Sequence, residues 1–457
     1  MKHRWLAASA ALVTTAFVAS IGADPAPISL VGVGSVSGAA LDKSGLAGQP
    51  ICRFDPPNDC IDQAALGGFG SAIAYTGFDS VFLTVPDRGP FDGRTDVPFL
   101  NRFHFMHLAL TPSGTAFPGT ITTTLLDTRM MKAQGNQDFV GSSSDFESRF
   151  DPEGVAVGRD GSFYVSDEYG PYINEFNRQG HLRRRLPVPA KFLIANPSGD
   201  VFAEDGSTSL ELSPNLNTSG RQANRGMEGL AISPDGRYLF GLMQNALIQD
   251  NALNSATPPG RRGFNSRLLK VDLQTGATAE YVYVLDATGS GRGANDIVAI
   301  NDHQFLVIER DNKSLLPTPP NVPEVPANKK IFTIDITGAT DVSNVAVLPQ
   351  NGGAALTALN ITPVSKSLFI DLLSPAFAIS AGVPISSVIP EKIEGLAFGP
   401  DLPDGRHVLY VISDNDLYTP RPTQIYAFAI DPSLLQFVRQ QFDGPLFPPG
   451  QVKKVLH

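Results

Sequence analysis

Residues 151–171 read DPEGVAVGRDGSFYVSDEYGP. A short run of small and apolar residues meets the polar turn Arg159-Asp160-Gly161, and a β-rich run follows. Asp-Gly between two such runs is a strong local signal for a β-hairpin. Carboxylates crowd the open end: Glu153 stands before the first strand, Asp167 and Glu168 after the second. Taken alone, they are either solvated hairpin ends or one wall of a site.

The stretch recurs. Copies begin at Gly226 (GMEGLAISPDGRYLFGLMQN), Gly293 (GANDIVAINDHQFLVIERDN) and Glu391 (EKIEGLAFGPDLPDGRHVLYVISDND), with a weaker one at Gly68 (GFGSAIAYTGFDSVFLTVPDRG). Third strands follow in NRFHFMHLALT, YINEFNRQG, RLLKVDLQTG, KKIFTIDITG and TQIYAFAIDP, several leading to a fourth β-rich segment. Hairpin, third strand and fourth strand, repeated, is the plan of an all-β propeller blade. Five blades are readable. The N-terminal ISLVGVGSVSG and C-terminal GQVKKVLH are candidates to pair as another blade or to close the ring. Six blades is the preferred count, with five or seven as alternatives. Residues 130–150, 196–224 and 354–390 read as insertions, residues 366–381 as a short helix or irregular piece, and Pro-rich residues 315–328 as an extended loop.

In a propeller the first strand of each blade lines the channel and the second runs back beside it. Acids at the start of one and the end of the other therefore share a mouth. Aligning the copies on Ala74, Ala156, Ala231, Ala299 and Ala397 makes Ser71, Glu153, Glu228, Asp296 and Glu394 equivalent. Partners at the far strand ends are Asp87 and Arg88, Asp167 and Glu168, Gln244 and Asn245, Glu309 and Asp311, and Asp414 and Asp416. Crowded carboxylates raise one another's pKa unless a cation lies among them, and oxygen ligands suit Ca²⁺ ahead of Mg²⁺ or Mn²⁺. Equally, each acid could satisfy backbone N–H groups of its own blade. Arg88, Arg149, Arg225 and Arg310 flank the same ends, either as ion-pair partners or as forked donors to an anionic substrate.

The rest of the chain sets bounds. Lys2, His3 and Arg4 precede an apolar run that ends in small residues at Gly22-Ala23, the pattern of a secretory signal over residues 1–23. A single propeller domain, residues 24–457, is expected beyond it, with no membrane insertion of the mature chain. Acids outnumber bases, 45 against 35, for a formal charge of −10, which argues against nucleic acid or an anionic membrane as partner. Cys52 and Cys60 close a short Pro-containing loop and most simply form a disulfide in an exported chain. A metal pair or free thiols is the weaker reading, because no His or third Cys lies nearby.

Several chemistries are missing: there is no G-x-S-x-G elbow, no H-E-x-x-H and no Walker loop. His104 and His107, three apart in one strand, point to opposite faces and read as packing or surface residues rather than a zinc pair. SDNDLY at Ser413 begins like a calcium loop but lacks its Gly and distal Glu.

With these residues in hand, the chain resembles the exported phytase-like family, "esterase-like activity of phytase". RFDPEGVAVGRDGSFYVSDEYGPYINEFNRQG, NRGMEGLAISPDGRYLFGLMQNALIQD, FLVIERDN and KIEGLAFGPDLPDGRHVLYVISDND carry the likeness, in order, over residues 67–430. The resemblance implies a secreted or periplasmic β-propeller that hydrolyses phosphate or carboxylic esters. It puts Glu153, Asp167, Glu168, Glu228, Arg310, Asp311, Glu394 and Asp414 on motif positions. Met227 and Asn295-Asp296 depart from the pattern, and the dense acidic loops of calcium-dependent phytase propellers are not shared, which tells against phytate itself.

The expectation is a metal-assisted hydrolase for a small anionic or ester substrate, monomeric, with its site at the channel mouth. Glu153, Glu228, Asp296 and Glu394 would hold a divalent cation, Ca²⁺ first. Asp167, Asp311 or Asp414 would act as base, and Arg88, Arg149, Arg225 and Arg310 would hold the anionic group. The rival readings are a non-enzymatic propeller that binds a ligand or partner, and a lactonase.

Overall fold

The computed structural model describes residues 26–53, 59–93, 95–113, 115, 117–141, 148–195, 217–255, 260–286, 288 and 292–456. The expected leader and much of the 196–224 insertion lie outside them.

Each copy of the repeat opens one four-stranded antiparallel unit. Blade I runs Ala72–Tyr75, Val81–Val85, Arg102–Thr111 and Gly119–Met130. Blade II is Pro152–Val157, Phe163–Asp167, Ile173–Phe176 and Leu182–Leu186. Blade III is Met227–Ile232, Tyr238–Met243, Asn265–Asp272 and Thr278–Val284. Blade IV is Gly293–Ala299, Gln304–Arg310, Lys329–Asp335 and Ser365–Asp371. Blade V is Lys392–Phe398, His407–Asp414 and Thr423–Ile430, completed by the N-terminal strand Ile28–Val36. The inner strands pack in cyclic order from I to V and back to I, so the units close a ring.

The hairpin turns explain the punctuation of the repeat. Asp160, Asp235 and Asp404 each accept the N–H two residues on, from Ser162, Arg237 and Arg406. The glycine between takes positive φ, 80° at Gly161, 75° at Gly236 and 90° at Gly405, where a Cβ would be strained.

Three expectations need correction. The preferred six blades are not confirmed: the described residues form three four-stranded sheets and one eight-stranded sheet that joins the strands of I and V. Ile28–Val36 does not pair with the C-terminus; it runs antiparallel to Thr423–Ile430, with Ile28 opposite Ile430 and Val36 opposite Thr423. GQVKKVLH is not a strand, since Pro449–Leu456 is helical. Its Pro449 suits a first turn, and Lys453 and Lys454 sit in the last, where a cation is favoured. Lastly, part of residues 366–381 belongs to the fourth strand of blade IV, paired with Lys329–Asp335.

Apolar side chains fill the spaces between neighbouring blades, for example Leu83, Phe103, Val155 and Phe163 between I and II. Inward-facing Ile73, Val155, Leu230, Ile297 and Leu396, one per blade, narrow the channel to a cavity of about 70 Å³. One mouth is closed by the C-terminal segment. Val438 donates its N–H to Ile300, Gln441 to Pro234 and Asp443 to Arg159, and Phe437 packs tilted against Phe398 with centroids 4.3 Å apart. The acids are at the other mouth.

Candidate functional site

Four inner strands carry a β-bulge at their mouth end. Register slips between Pro152 and Val155, Met227 and Gly229, Ala294 and Asp296, and Ile393 and Gly395. Such a bulge re-aims a side chain that a regular ladder would direct elsewhere. In blades III, IV and V the residue skipped is Glu228, Asn295 and Glu394, and Glu153 lies within the slip of blade II. The blade IV alignment on Ala299 is therefore one residue off. Channel-lining positions match Ile297 with Leu230 and Leu396, so Val298 is the counterpart of Ala231 and Ala397. Asn295 takes the place expected of Asp296, which occupies the register of Gly229 and Gly395.

Asp296 is consequently a staple. Its carboxylate accepts N–H groups from Ile297 (2.8 Å) and from Leu396 of the next blade (2.7 Å). Glu153, Glu228 and Glu394 instead line one small cavity of about 60 Å³, with Asp87, Arg88, Glu168, Arg225, Arg310 and Lys392.

Within it the carboxylates fall into groups. Asp151, Glu153 and Glu168 are all buried and bring one oxygen each within 4.8 Å of the others. Arg88 reaches two of them, Asp151 at 2.6 Å and Glu168 at 3.3 Å. Among the described residues no hydrogen bond reaches the Glu153 carboxylate. Burial first, then Glu228, Asp151, Glu168 and Glu394, push its pKa well above the carboxylate range. Burial also lifts Asp151, to about 6 despite Arg88, and like effects raise Glu228 well above normal.

On the far side, a chain of side chains orients Glu228. Arg225 donates to the Gln244 carbonyl oxygen (2.8 Å), and the Gln244 amide nitrogen donates to Glu228. Arg225 has an Nε without a partner and makes no ion pair among the described residues. Burial, with Arg261 and Arg310 beside it, lowers its pKa to about 9, so it stays cationic at neutral pH. Arg310 donates to Glu394 and Asn312. With its amide oxygen turned inward, Asn295 accepts from Arg310 at 3.2 Å.

The other expected residues stand apart from the cavity lining. Asp167 accepts N–H groups from Asp151 and Tyr169, both at 3.1 Å, and burial lifts it to about 7. Asp311 is held by Lys329 (3.2 Å) and by the N–H groups of Ala327 and Asn328, and Lys329 with these donors keeps its pKa low despite burial. Arg149 lies over the Tyr169 ring, 3.9 Å from its centroid. Asp414 belongs to a second group with Asp87 and Asp416, again within 4.8 Å of one another. Cys52 and Cys60 are disulfide-bonded.

Sequence reasoning passed over Asp151 and Lys392. Lys392 had a signal: it stands two residues before Glu394 in a strand, hence on the same face. Asp151 is outside its strand and had none beyond its place in the repeat.

The ring of blades and the buried carboxylate–arginine mouth define a β-propeller protein with one open, charged channel end. Comparison with known families narrows this. The chain belongs to the phytase-like family, described as "esterase-like activity of phytase", whose model matches residues 64–417. An uncharacterized secreted protein of Arthroderma benhamiae is 27% identical over 303 residues, 56% of this chain and 54% of that protein, so the match spans about half the relative's length. The secreted relative and the disulfide accord with an extracellular setting. Among solved structures, regucalcin from Agrobacterium tumefaciens, titled a calcium-binding protein, is similar at 12% identity over 91% of this chain and 98% of its own, with a TM-score of 0.30. An ancestral GH74 enzyme is similar at 9% identity over 75% of this chain and 33% of its own, also with a TM-score of 0.30. No helix of the described residues is long and apolar enough to cross a membrane.

Proposed function

We propose that this protein is an exported, single-domain hydrolase of phosphate or carboxylic esters that works at the acid mouth with a divalent cation, Ca²⁺ first. The observation that carries the reading is the Asp151–Glu153–Glu168 group, three buried carboxylates converging beside a single arginine. Burying three carboxylates against one paired arginine is costly, and Glu153 has no donor among the described residues. A hard cation fits the all-oxygen donor set, with Asp151, Glu153 and Glu168 as its ligands. When bound, it would polarise the ester and lower the pKa of a nearby water.

The chain's own groups divide the remaining work. Glu228, oriented by Gln244, accepts the proton of the attacking water. Arg225, with its unpartnered Nε, holds the anionic oxygen of the substrate. Arg310 donates to Glu394 and holds it in place. Asp167, Asp311 and Asp296 are held on backbone N–H groups and position the loops, so the reading gives them no part in bond breaking. Leader removal near residue 23 and a monomeric mature chain belong to the same proposal.

An ester panel tests it. Purified protein is assayed on p-nitrophenyl phosphate, p-nitrophenyl butyrate and a simple lactone, with Ca²⁺ and with chelator. Calcium-dependent turnover of a phosphate or carboxylic ester is expected. Turnover of the lactone alone makes it a lactonase, and saturable binding without turnover on any of the three makes it a binding propeller; either result rejects the proposal.

A further inference from the structure

The ring closes where blade V meets blade I, and the contact there is unusually close. On the outside, Ile28–Val36 pairs in parallel with Gly119–Met130, through Gly32 opposite Gly119 and Val33 opposite Thr120. On the inside, Gly67–Gly70 lies against Ser413–Leu417. A Cβ on Gly70 would come within 1.8 Å of the Ser413 carbonyl oxygen, so only glycine permits this approach. Thr423 donates its hydroxyl to the Gly67 carbonyl across the same junction.

At the mouth end of this junction stands the second acid group, Asp87 from blade I with Asp414 and Asp416 from blade V. Its partners account for only part of its hydrogen-bonding capacity. Asp87 accepts the Gly89 N–H at 2.8 Å, and Asp414 accepts the Asp416 N–H at 2.9 Å through Oδ1. Lys392 donates to Asp416. Asp414, a residue 2% exposed, has an Oδ2 without a partner among the described residues. Lys392 is the cation hydrogen-bonded to the group, and Arg88 stands beside Asp87. Neither reaches the free Oδ2 of Asp414, which a cation would engage.

We propose a second cation site at this junction, formed by Asp87, Asp414 and Asp416, that takes Ca²⁺ and fastens blade V to blade I. It is separate from the Asp151–Glu153–Glu168 group, to which the hydrolytic reading assigns its cation, and it does not depend on that reading. All its donors are oxygens from side chains of two blades, an irregular set that suits Ca²⁺ better than the strict octahedron of Mg²⁺. Its function is structural: the ion links two blades that are far apart in sequence, so it stabilises the folded ring by mass action.

The test is calorimetric titration of the metal-stripped full chain with CaCl₂, in the wild type and in the Asp416→Asn and Glu153→Gln variants. Asp416 is partly exposed, so its amide is tolerated sterically. Two bound equivalents are expected in the wild type and one in each variant. The calcium-dependent rise in Tm is expected to be smaller in each variant than in the wild type, because each retains one ion. If Asp416→Asn fails to fold, wild-type crystals soaked in MnCl₂ decide, with an anomalous peak expected among the three aspartates. One equivalent in the wild type, lost in Glu153→Gln and kept in Asp416→Asn, overturns this site and leaves the hydrolytic one standing. One equivalent lost only in Asp416→Asn supports this site and removes the cation of the hydrolytic reading. No binding in the wild type, or no manganese peak among the aspartates, rejects the inference.

Discussion

The two mouths of the channel are ends of the same five strands, yet they are built on opposite principles. At the strapped mouth, Phe437, Val438, Arg439 and Gln440 lie on apolar strand ends, and hydrogen bonds to successive blades tie the segment down. At the acid mouth, bulges turn Glu153, Glu228 and Glu394 inward and bury them among arginines. The first arrangement is what stability asks for. The second opposes it, since buried like charges are costly, and a fold that retains them is read most simply as holding a site.

That contrast can be broken from either end. The largest effect is expected for Arg88→Met. It leaves Asp151 and Glu168 without their counter-charge, and breaking a buried pair in this way costs about 3–5 kcal/mol. Chemical denaturation checks it, and a loss under about 1 kcal/mol would mean that Arg88 is not the partner these acids depend on.

Next comes pH. Burial raises Asp87 to about 7, Asp151 to about 6 and Asp167 to about 7. The folded chain thus binds more protons than the unfolded one between about pH 4 and 7. The stability these groups contribute is present at low pH and is lost as pH rises through that window. His104 opposes them: burial lowers it to about 4, so its contribution is lost as pH falls below about 6.5. The raised carboxyls outnumber the imidazole, so metal-free protein is expected to lose stability from pH 4 to 7. A tenfold difference in proton affinity between the folded and unfolded chain is worth about 1.4 kcal/mol, and the interacting acids do not add fully. Denaturant midpoints in chelator measure the slope, and Ca²⁺ should flatten or reverse it.

Glu153→Gln is expected to cost about 100-fold in kcat/KM, roughly 2.7 kcal/mol, while raising Tm in chelator because one like charge leaves the group. A variant that is both inactive and less stable would point to a structural duty for Glu153. The smallest effect belongs to the other mouth. Phe437→Ala should cost about 1–2 kcal/mol of stability, by loss of half-buried ring area, and leave kcat/KM unchanged. A change in activity would show that the strap communicates with the acid end.

The propeller was legible because blades II, III and V repeat the same local physics, a turn aspartate followed by a glycine at positive φ between two apolar strands. The closing strand was harder to assign. Ile28–Val36 carries an apolar pattern that names no partner, and its pairing with Thr423–Ile430 is set only by ring closure. Legible at the acid end was that Glu153, Glu228 and Glu394 share one mouth, where they line a common cavity. Asp296 was misread because a bulge shifts blade IV by one residue, and a bulge leaves no mark in a pattern of small and apolar residues. Asp167 and Asp311 looked like bases because sequence shows a carboxylate but not the N–H groups that already occupy it.

The most direct measurement is the initial rate of ester hydrolysis as a function of free Ca²⁺, at pH 7, for wild type and Glu153→Gln side by side. The acid mouth as a cation-dependent catalytic site requires a rate near zero in chelator, saturable recovery with Ca²⁺ in the wild type, and little recovery in the folded variant. A rate that is the same in chelator and in Ca²⁺, or a Glu153→Gln variant as active as wild type, would contradict it.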